Sequence, residues 1–319
     1  MAINPRKAAI VGLGNVGASI AFALMAKNLY SSLVLIDANK NKAEGEAMDL
    51  AHGLPYASPM HIYAGDYKDA ADASIIIITA GAAQKPGETR LDLIAKNARI
   101  LSSIISEIKK TGFEGILLMV ANPVDVLTHL AVKLSGYPEH RVFGSGTVLD
   151  TARLKYAIGE RIGVDIRSVH TMIVGEHGDS EVPLWGLTNI SGVPLKDFCE
   201  ARKIPATEKE MDKIYVEVRD SAYAIIERKG ATYYGIAYAV ARICEAIVKD
   251  EKAILPVSNH LHGEYGIEGI SFAVPSIIDR HGVSSPLEVP LNGKEQLALL
   301  KSAKAMKTSI EAGEKALEQ

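Results

Sequence analysis

Three glycines near the start of the chain have the spacing of a turn that binds a dinucleotide. Gly12, Gly14 and Gly17 follow the apolar run at residues 8–11 and precede a helical segment. Glycines at this spacing allow a tight turn and the close approach of a pyrophosphate, which the helix N-terminus stabilises. The motif alone is weak, because glycines at strand ends are often only turn formers.

A carboxylate further along strengthens this prediction. Asp37 ends the second apolar run, 20 residues after Gly17, where its oxygens can accept hydrogen bonds from both hydroxyls of an adenosine ribose. The same charge would repel a ribose phosphate, and Ala38 offers no arginine to hold one. We therefore predict NAD rather than NADP. The residues expected to contact NAD are Gly12, Gly14, Asn15, Val16, Gly17, Asp37, Gly81 and Asn122.

Chemistry with NAD also needs a proton carrier, because a carbonyl oxygen gains a proton when hydride reaches its carbon. Of nine histidines, His177 is singled out because it lies where a strand runs into a loop flanked by Gly175 and Gly178. Its ring can therefore reach a cleft. The pair His260 and His262 lacks the other ligands that a metal would need, and we expect no metal site.

Two charged residues on a predicted helix complete the set. Asp150 and Arg153 are three residues apart and therefore share one helix face. Arg153 can then hold a carboxylate by two hydrogen bonds while Asp150 serves a neighbouring group. An ordinary ion pair within the helix would explain the spacing equally well, so this pair alone decides nothing.

Length, charge and cysteine usage indicate the number of domains, the kinds of partner and the cellular compartment. A chain of 319 residues exceeds what one core usually serves, which favours two domains. The net charge of −3 provides no basic face for nucleic acid, and no stretch is apolar enough for a membrane span. Cys199 and Cys244 form neither a disulfide pattern nor a zinc motif. We expect a cytoplasmic protein without nucleic-acid or membrane partners.

Apolar runs alternate with helical stretches in the first half of the chain. The runs are residues 8–11, 33–36, 75–78 and 116–120. Strands that are apolar throughout indicate a parallel sheet covered on both faces, so we predict an α/β fold with a Rossmann-type, doubly wound sheet. Mixed patterns from residue 144 onward predict an α+β catalytic domain. The expected domains are therefore residues 1–143 for NAD and 144–319 for the substrate.

Together these motifs resemble the lactate and malate dehydrogenase family, and the resemblance covers nearly the whole chain. After the glycine turn come, in the family's order, segments that read GETRLDL, ANPVD, GSGTVLDTAR, GEHGDS and KGATYYG. Within the family the sequence is most similar to bacterial L-lactate dehydrogenases. The resemblance implies reversible reduction of pyruvate to L-lactate with NADH.

The resemblance also implies a role for each charged residue. His177 would be the acid/base that gives a proton to the carbonyl oxygen of pyruvate and recovers it from lactate. Asp150 would accept a hydrogen bond from the other ring nitrogen and favour the imidazolium. Arg153 would bind the substrate carboxylate, and Arg90 would polarise the reacting carbonyl.

Two neutral residues belong to the implied substrate site. Asn122 would bond the substrate oxygen and steady His177, and in this family its peptide bond to Pro123 tends to be cis. Thr232, just past an expected helix end at Gly230, would line the pocket near the nicotinamide. A helix cap would also explain Thr232.

The loop before Arg90 is predicted to be a lid that selects the substrate. Gly81, Pro86 and Gly87 are loop formers between a strand and the helix that begins near Arg90, so closure can bring Arg90 in. Gln84 stands where malate dehydrogenases typically have arginine. A second substrate carboxylate would lack a cationic partner there, so Gln84 favours pyruvate over oxaloacetate.

Regulation and assembly are left open. Many bacterial relatives are activated by fructose bisphosphate, bound between subunits by an arginine and a histidine from each. His170 matches that histidine, whereas Lys155 replaces the arginine and keeps the charge without the planar fork. The resemblance implies a homotetramer, with a dimer as the alternative.

Two other functions are alternatives to L-lactate dehydrogenase. One is a malate or longer 2-hydroxy-acid dehydrogenase, which a panel of 2-keto acids would reveal. The other is an NAD-binding sensor without catalysis. The intact set of His177, Asp150, Arg153 and Arg90 disfavours a sensor.

Overall fold

The computed structural model describes residues 2–82 and 87–318. The helices are α1 (Asn15–Ala26), α2 (Lys40–Gly53), α3 (Arg90–Lys110), α4 (Val124–Ser135), α5 (Val148–Ile162), α6 (Leu195–Ala201), α7 (Glu208–Lys229), α8 (Tyr234–Val248) and α9 (Gly293–Leu317). The strands are β1 (Asn4–Val11), β2 (Ser32–Ile36), β3 (His61–Ala64), β4 (Ala73–Ile78), β5 (Ile116–Met119), β6 (Val142–Gly144), β7 (Val169–His170), β8 (Ile173–Val174), β9 (Val182–Pro183), β10 (Asn189–Ile190), β11 (Val193–Pro194), β12 (Ala253–His262), β13 (Glu268–Asp279) and β14 (Gly282–Pro286). Within these residues, no helix has both the length and the apolar character needed to cross a membrane.

The strands of the first half pair in parallel, in the order β3, β2, β1, β4, β5 and β6. Successive residues of β4 enter two separate cores: Ile76 and Ile78 pack with α3, and Ile75 and Ile77 pack with α1. This alternation explains why the strand is apolar throughout. The chain runs outward from β1 to β3 and then returns to β4, so a switch point lies between β1 and β4. The predicted doubly wound parallel sheet is confirmed.

The same sheet continues into the second half of the chain, which the sequence did not predict. Strand β12 pairs antiparallel with β6 through Ser258 and Gly144, and β13 and β14 extend the sheet further. Position 144 requires glycine, because a Cβ there would lie 2.3 Å from Oγ1 of Thr128 in α4 and 3.2 Å from Cβ of Ser258 in β12. The division into residues 1–143 and 144–319 stays a prediction, since the sheet crosses that boundary.

Helix α5 follows this junction and is anchored by its apolar face. Leu154 and Ile158 are fully buried and belong to one hydrophobic cluster with Ile214 and Val218 of α7. Asp150 lies in the first turn of α5, where the helix dipole favours a negative charge. Packing against α7 therefore holds α5 in place, and with it Asp150 and Arg153.

Candidate active site

Five of the predicted site residues line one cavity of about 390 Å³. Arg90 is the first residue of α3, and Asn122 lies between β5 and α4. Asp150 and Arg153 lie near the start of α5, and His177 lies in the loop between β8 and β9. Helix α7 adds lining residues that the sequence did not single out, namely Arg219, Ala222 and Tyr223.

A chain of hydrogen bonds joins the histidine to the arginine through a buried carboxylate. Nδ1 of His177 lies 2.6 Å from Oδ2 of Asp150, and Oδ1 of Asp150 accepts a 2.8 Å hydrogen bond from Arg153. Asp150 is only 2% exposed, so this carboxylate is held in place by its two partners. Because Nδ1 is engaged, Nε2 is the ring nitrogen that remains for a substrate.

These contacts set the protonation state of the site. Burial opposes a charge on His177, but Asp150, and more weakly Asp125, raise the pKa of His177 to about 9. Burial also opposes the charge on Asp150, yet His177 and Arg153 hold the pKa of Asp150 below its ordinary value. At neutral pH the pair is therefore an imidazolium and a carboxylate.

A second carboxylate steadies the backbone of the histidine. The N–H of His177 donates to Oδ2 of Asp125 over 2.8 Å, and Asp125 is buried in the first turn of α4. Burial raises the pKa of Asp125 to about 6. The sequence did not reveal the role of Asp125, although this residue ends the segment ANPVD, because a contact across 52 residues leaves no trace in local spacing.

Arg90 pairs with a buried acid at the edge of the cavity. Its guanidinium bonds to Glu176, whose side chain is only 4% exposed whereas that of Arg90 is 49% exposed. A guanidinium has five N–H donors, so Arg90 can bond a substrate oxygen by sharing or by leaving Glu176. The Arg90–Glu176 pair thus fixes the position of Arg90 at the edge of the cavity.

Asn97 ties the base of the loop to Asn122. Its side-chain nitrogen donates to the carbonyl oxygens of Asn122 (2.7 Å) and Ala82 (3.2 Å), and its oxygen accepts the N–H of Ala82 (2.7 Å). The peptide bond between Asn122 and Pro123 is cis, as the resemblance implied. Sequence reasoning missed Asn97, although a polar residue on the apolar face of α3 was a usable signal.

A third acid in the cavity was also missed. Burial, together with the nearby Asp150, raises the pKa of Glu181 to about 8, so Glu181 is mostly neutral at pH 7. Ligand atoms of Asp150, His177 and Glu181 lie within 4.8 Å of one another, but a protonated histidine does not bind a metal ion. A neutral Glu181 leaves the charges of Arg153 and His177 available to an anionic substrate.

A second cavity, of about 810 Å³, lies beside the glycine turn and is lined by Gly12, Gly14, Asp37 and Gly81. A Cβ added to Gly14 would meet no atom within 4 Å, so there is open space at the N-terminus of α1. That end has no capping side chain and no acid in its first turn, which suits a pyrophosphate. Asn15 and Val16 are the first two residues of α1.

The other glycines make the turn itself possible. Gly12 has φ +96°, and a Cβ there would lie 2.5 Å from the nitrogen of Ala80. A Cβ on Gly17 would lie 1.9 Å from the oxygen of Gly12, so the helix packs directly on the turn. Asp37 is held by the N–H groups of Leu13 (2.7 Å) and Asn39 (2.9 Å). The residues present therefore fit NAD.

Comparison with known proteins identifies the family. The model of the lactate/malate dehydrogenase NAD-binding domain matches residues 6–144, and that of the lactate/malate dehydrogenase alpha/beta C-terminal domain matches residues 147–317. The chain belongs to the lactate/malate dehydrogenase family. NAD is its cofactor.

Relatives within the lactate/malate dehydrogenase family align over almost their whole length. L-lactate dehydrogenase 1 of Clostridium acetobutylicum is 52% identical over 96% of this chain and 98% of its own. The L-lactate dehydrogenase of Priestia megaterium is 51% identical, over 95% of each chain. The structure of the minor L-lactate dehydrogenase from Enterococcus mundtii in the ligands-bound form has a TM-score of 0.93 and 44% identity, covering 96% of this chain and 98% of that one.

For two residues that the resemblance assigned to the substrate site, the described residues do not show a position in that site. Gln84 lies outside the described residues. Helix α7 ends at Lys229, with Gly230 as its C-cap (φ +84°), close to the predicted end, and Thr232 follows half-buried. Thr232 is not among the residues that line the cavity containing His177. Its role in this dehydrogenase stays a prediction.

The two residues proposed for an activator lie on elements that contact each other. Lys155 is half-buried on α5, where burial and the charge of Arg242 lower its pKa. His170 is exposed on β7 and pairs with Asn189 of β10. Helix α5 packs against β7, and the role of both residues stays a prediction.

Proposed function

We propose that this NAD-dependent L-lactate dehydrogenase acts through three residues: His177 exchanges a proton with the substrate's C2 oxygen, Arg90 polarises that oxygen, and Arg153 binds the carboxylate. When bound at the glycine turn, NAD exchanges the hydride with pyruvate or L-lactate. The observation that carries the proposal is the hydrogen-bonded chain from Arg153 through Asp150 to His177, in a cavity that Arg90 also lines.

The charges around the cavity suit pyruvate. His177 carries its proton at neutral pH and can release it from Nε2 to a developing alkoxide. Arg153 uses one side of its guanidinium for Asp150, which leaves other N–H groups for the single carboxylate of pyruvate. Asn122, which also lines this cavity, would bond the C2 oxygen, and Thr232 would border the nicotinamide.

A coupled assay tests the cofactor and the product together. With pyruvate we expect oxidation of NADH and formation of L-lactate, with much slower oxidation of NADPH because Asp37 would repel its ribose phosphate. A stereospecific assay identifies the lactate that is formed. The rates of NADH and NADPH oxidation are compared at equal cofactor concentrations. Formation of D-lactate, or equal rates with both cofactors, would contradict the proposal.

The pH profile should shift when the buried carboxylate loses its charge. In the parent enzyme pyruvate reduction needs the imidazolium of His177, so activity should fall as pH rises through about 9. In Asp150→Asn the effect of burial is no longer opposed by Asp150, and the fall should move toward or below pH 6.5, the ordinary value for histidine. The measurement is kcat/KM for pyruvate against pH. A fall that stays near pH 9 in the variant would refute the role of Asp150.

Substrate choice is predicted to depend on Gln84. Gln84→Arg should raise kcat/KM for oxaloacetate relative to pyruvate, by roughly tenfold or more, because arginine would pair with the second carboxylate. Gln84→Asn serves as the matched control without a new charge. If kcat/KM for oxaloacetate relative to pyruvate is the same in the parent and Gln84→Arg, another residue selects the substrate.

A malate dehydrogenase and a non-catalytic NAD sensor are the two alternatives. The first would require a cation that meets a second carboxylate, and Gln84 offers none. The second is hard to reconcile with the paired arrangement of His177 and Asp150, which a sensor would not need. Any sustained turnover excludes the sensor.

We also propose a homo-oligomer, specifically a tetramer. Large apolar side chains are exposed on several helices, among them Phe22 on α1, Met48 on α2 and Tyr238 on α8. Helices α1 and α8 pack against each other, so their exposed side chains offer one surface to another subunit. Light scattering after size-exclusion chromatography would measure the mass of the assembly. The mass of a dimer would contradict the proposed tetramer.

Fructose bisphosphate is the proposed activator. Lys155 would contribute charge without a bidentate fork, so activation should be weaker than with arginine. Lys155→Arg should therefore strengthen activation, and rates of pyruvate reduction with and without the sugar bisphosphate measure it. If the sugar bisphosphate leaves the rate unchanged in both the parent enzyme and Lys155→Arg, fructose bisphosphate is not an activator.

The proposed location is the cytoplasm. Cys199 and Cys244 are both buried free thiols, which fits a reducing compartment. The balance of 35 basic and 38 acidic residues supports a small-molecule substrate and no nucleic-acid or membrane partner.

A further inference from the structure

A cluster of metal-binding side chains lies at the end of β12, apart from both cavities already described. His260 and His262 come from β12, and Glu139 begins the short turn between α4 and β6. One ligand atom from each of the three lies within 4.8 Å of the others. Nε2 of His262 is 2.6 Å from Oε2 of Glu139. The sequence predicted no metal here because Glu139 precedes His262 by 123 residues.

One histidine of this cluster, His260, and the neighbouring His129 each have a ring nitrogen without a partner among the described residues. Nδ1 of His260 is buried, and within residues 2–82 and 87–318 it has no hydrogen-bond partner. The same holds for Nδ1 of His129, whose ring lies 5.5 Å from that of His260. A buried polar atom without a partner is costly, so it marks a place where a ligand would be stabilising.

The charge state of His260 also suits a metal. Burial lowers the pKa of His260, which favours its neutral form. A neutral imidazole is the form that ligates metal ions. The ring of His262 lies 5.1 Å from that of His260, which places two imidazole rings side by side.

We propose that Glu139, His260 and His262 bind a divalent transition-metal ion, for which Zn²⁺ is the best match. Two imidazoles and one carboxylate form a set that zinc accepts in tetrahedral sites, whereas Ca²⁺ and Mg²⁺ prefer oxygen ligands. Water would take the fourth position. Tetrahedral zinc needs ligand atoms about 3.3 Å apart. The exposed side chains of Glu139 and His262 have room to make that adjustment.

Such an ion would link two segments that are distant in sequence. Glu139 belongs to the segment that leads into β6, while His260 and His262 belong to the hairpin of β12 and β13. Binding would therefore stabilise the junction between the two halves of the sheet, in proportion to metal concentration. None of the three residues lines the active-site cavity, so catalysis should not depend on the ion.

Calorimetric titration of the chelator-treated full-length enzyme with Zn²⁺ tests the proposal. We expect binding of one ion per chain outside the active site, and a rise in Tm that Mg²⁺ does not produce. His262→Ala and Glu139→Gln should each weaken binding by roughly tenfold or more, whereas the exposed His281→Ala should not. Both tested side chains are exposed, so the variants should fold normally.

A second group of possible ligands, Asp150 with His177 and Glu181, becomes available to zinc when His177 loses its proton, so it is the competing site in this test. Binding there would inhibit pyruvate reduction and would be lost in His177→Asn. The proposal is overturned if zinc does not bind at micromolar concentrations. It is also overturned if affinity is equal in the parent, His262→Ala and Glu139→Gln, or if the only ion bound is the one that His177→Asn abolishes.

Discussion

Replacing His177 by asparagine should lower kcat for pyruvate reduction by about 10²–10⁴-fold, the usual contribution of a positioned general acid. Asparagine cannot donate a proton to the developing alkoxide. Its amide can still bond to Asp150, so the cavity should keep its shape. Steady-state oxidation of NADH measures kcat in the variant and in the parent enzyme.

Cofactor binding provides the control for this variant. His177 does not line the cavity beside the glycine turn, so fluorescence titration should give nearly the same Kd for NADH. The residual rate should also lose its fall near pH 9, because the group that titrates there is gone. A variant that keeps parental kcat would require a different proton donor, and Glu181 would then be the next group to replace.

Replacing Arg153 by glutamine should reduce kcat/KM for pyruvate by about 10²–10³-fold. The substrate carboxylate would lose its bidentate partner in a site where Arg153 is only 14% exposed. Removing one member of a buried ion pair costs about 3–5 kcal/mol, which supports an effect of this size. Most of the change should appear as a higher KM.

The variant Arg153→Lys shows how much of the loss comes from the positive charge and how much from the planar shape of the guanidinium. Lysine keeps the positive charge but has no planar fork, so it should recover only part of the loss. Asp150 loses a hydrogen bond in both variants, and the pH profile of each shows whether His177 has changed as well. If glutamine and lysine have the same small effect, Arg153 is a partner of Asp150 and not the carboxylate ligand.

Local patterns were sufficient for the first half of the fold and for the helix that carries the site. The apolar run of β4 predicted a strand buried on both faces, and its alternate residues do enter two cores. The spacing of Asp150 and Arg153 predicted a shared face, and Arg153 donates to Asp150. These features depend on periodicity, which sequence records directly.

Contacts between distant segments were not predictable in the same way. The pairing of β12 with β6 depends on Ser258 meeting Gly144, and Asp125 reaches His177 across 52 residues. Asn97 holds Ala82 and Asn122 only because α3 packs beside both. A single sequence contains the residues of such contacts but not their partners, because tertiary packing selects them.

If one cationic cavity, containing His177 and Arg153, serves a substrate with a single carboxylate, the enzyme should distinguish pyruvate from oxaloacetate. The measurement is kcat/KM of the parent enzyme for each of the two substrates, made side by side with NADH. We predict a clear preference for pyruvate, by roughly tenfold or more. Equal values, or a preference for oxaloacetate, would contradict the account.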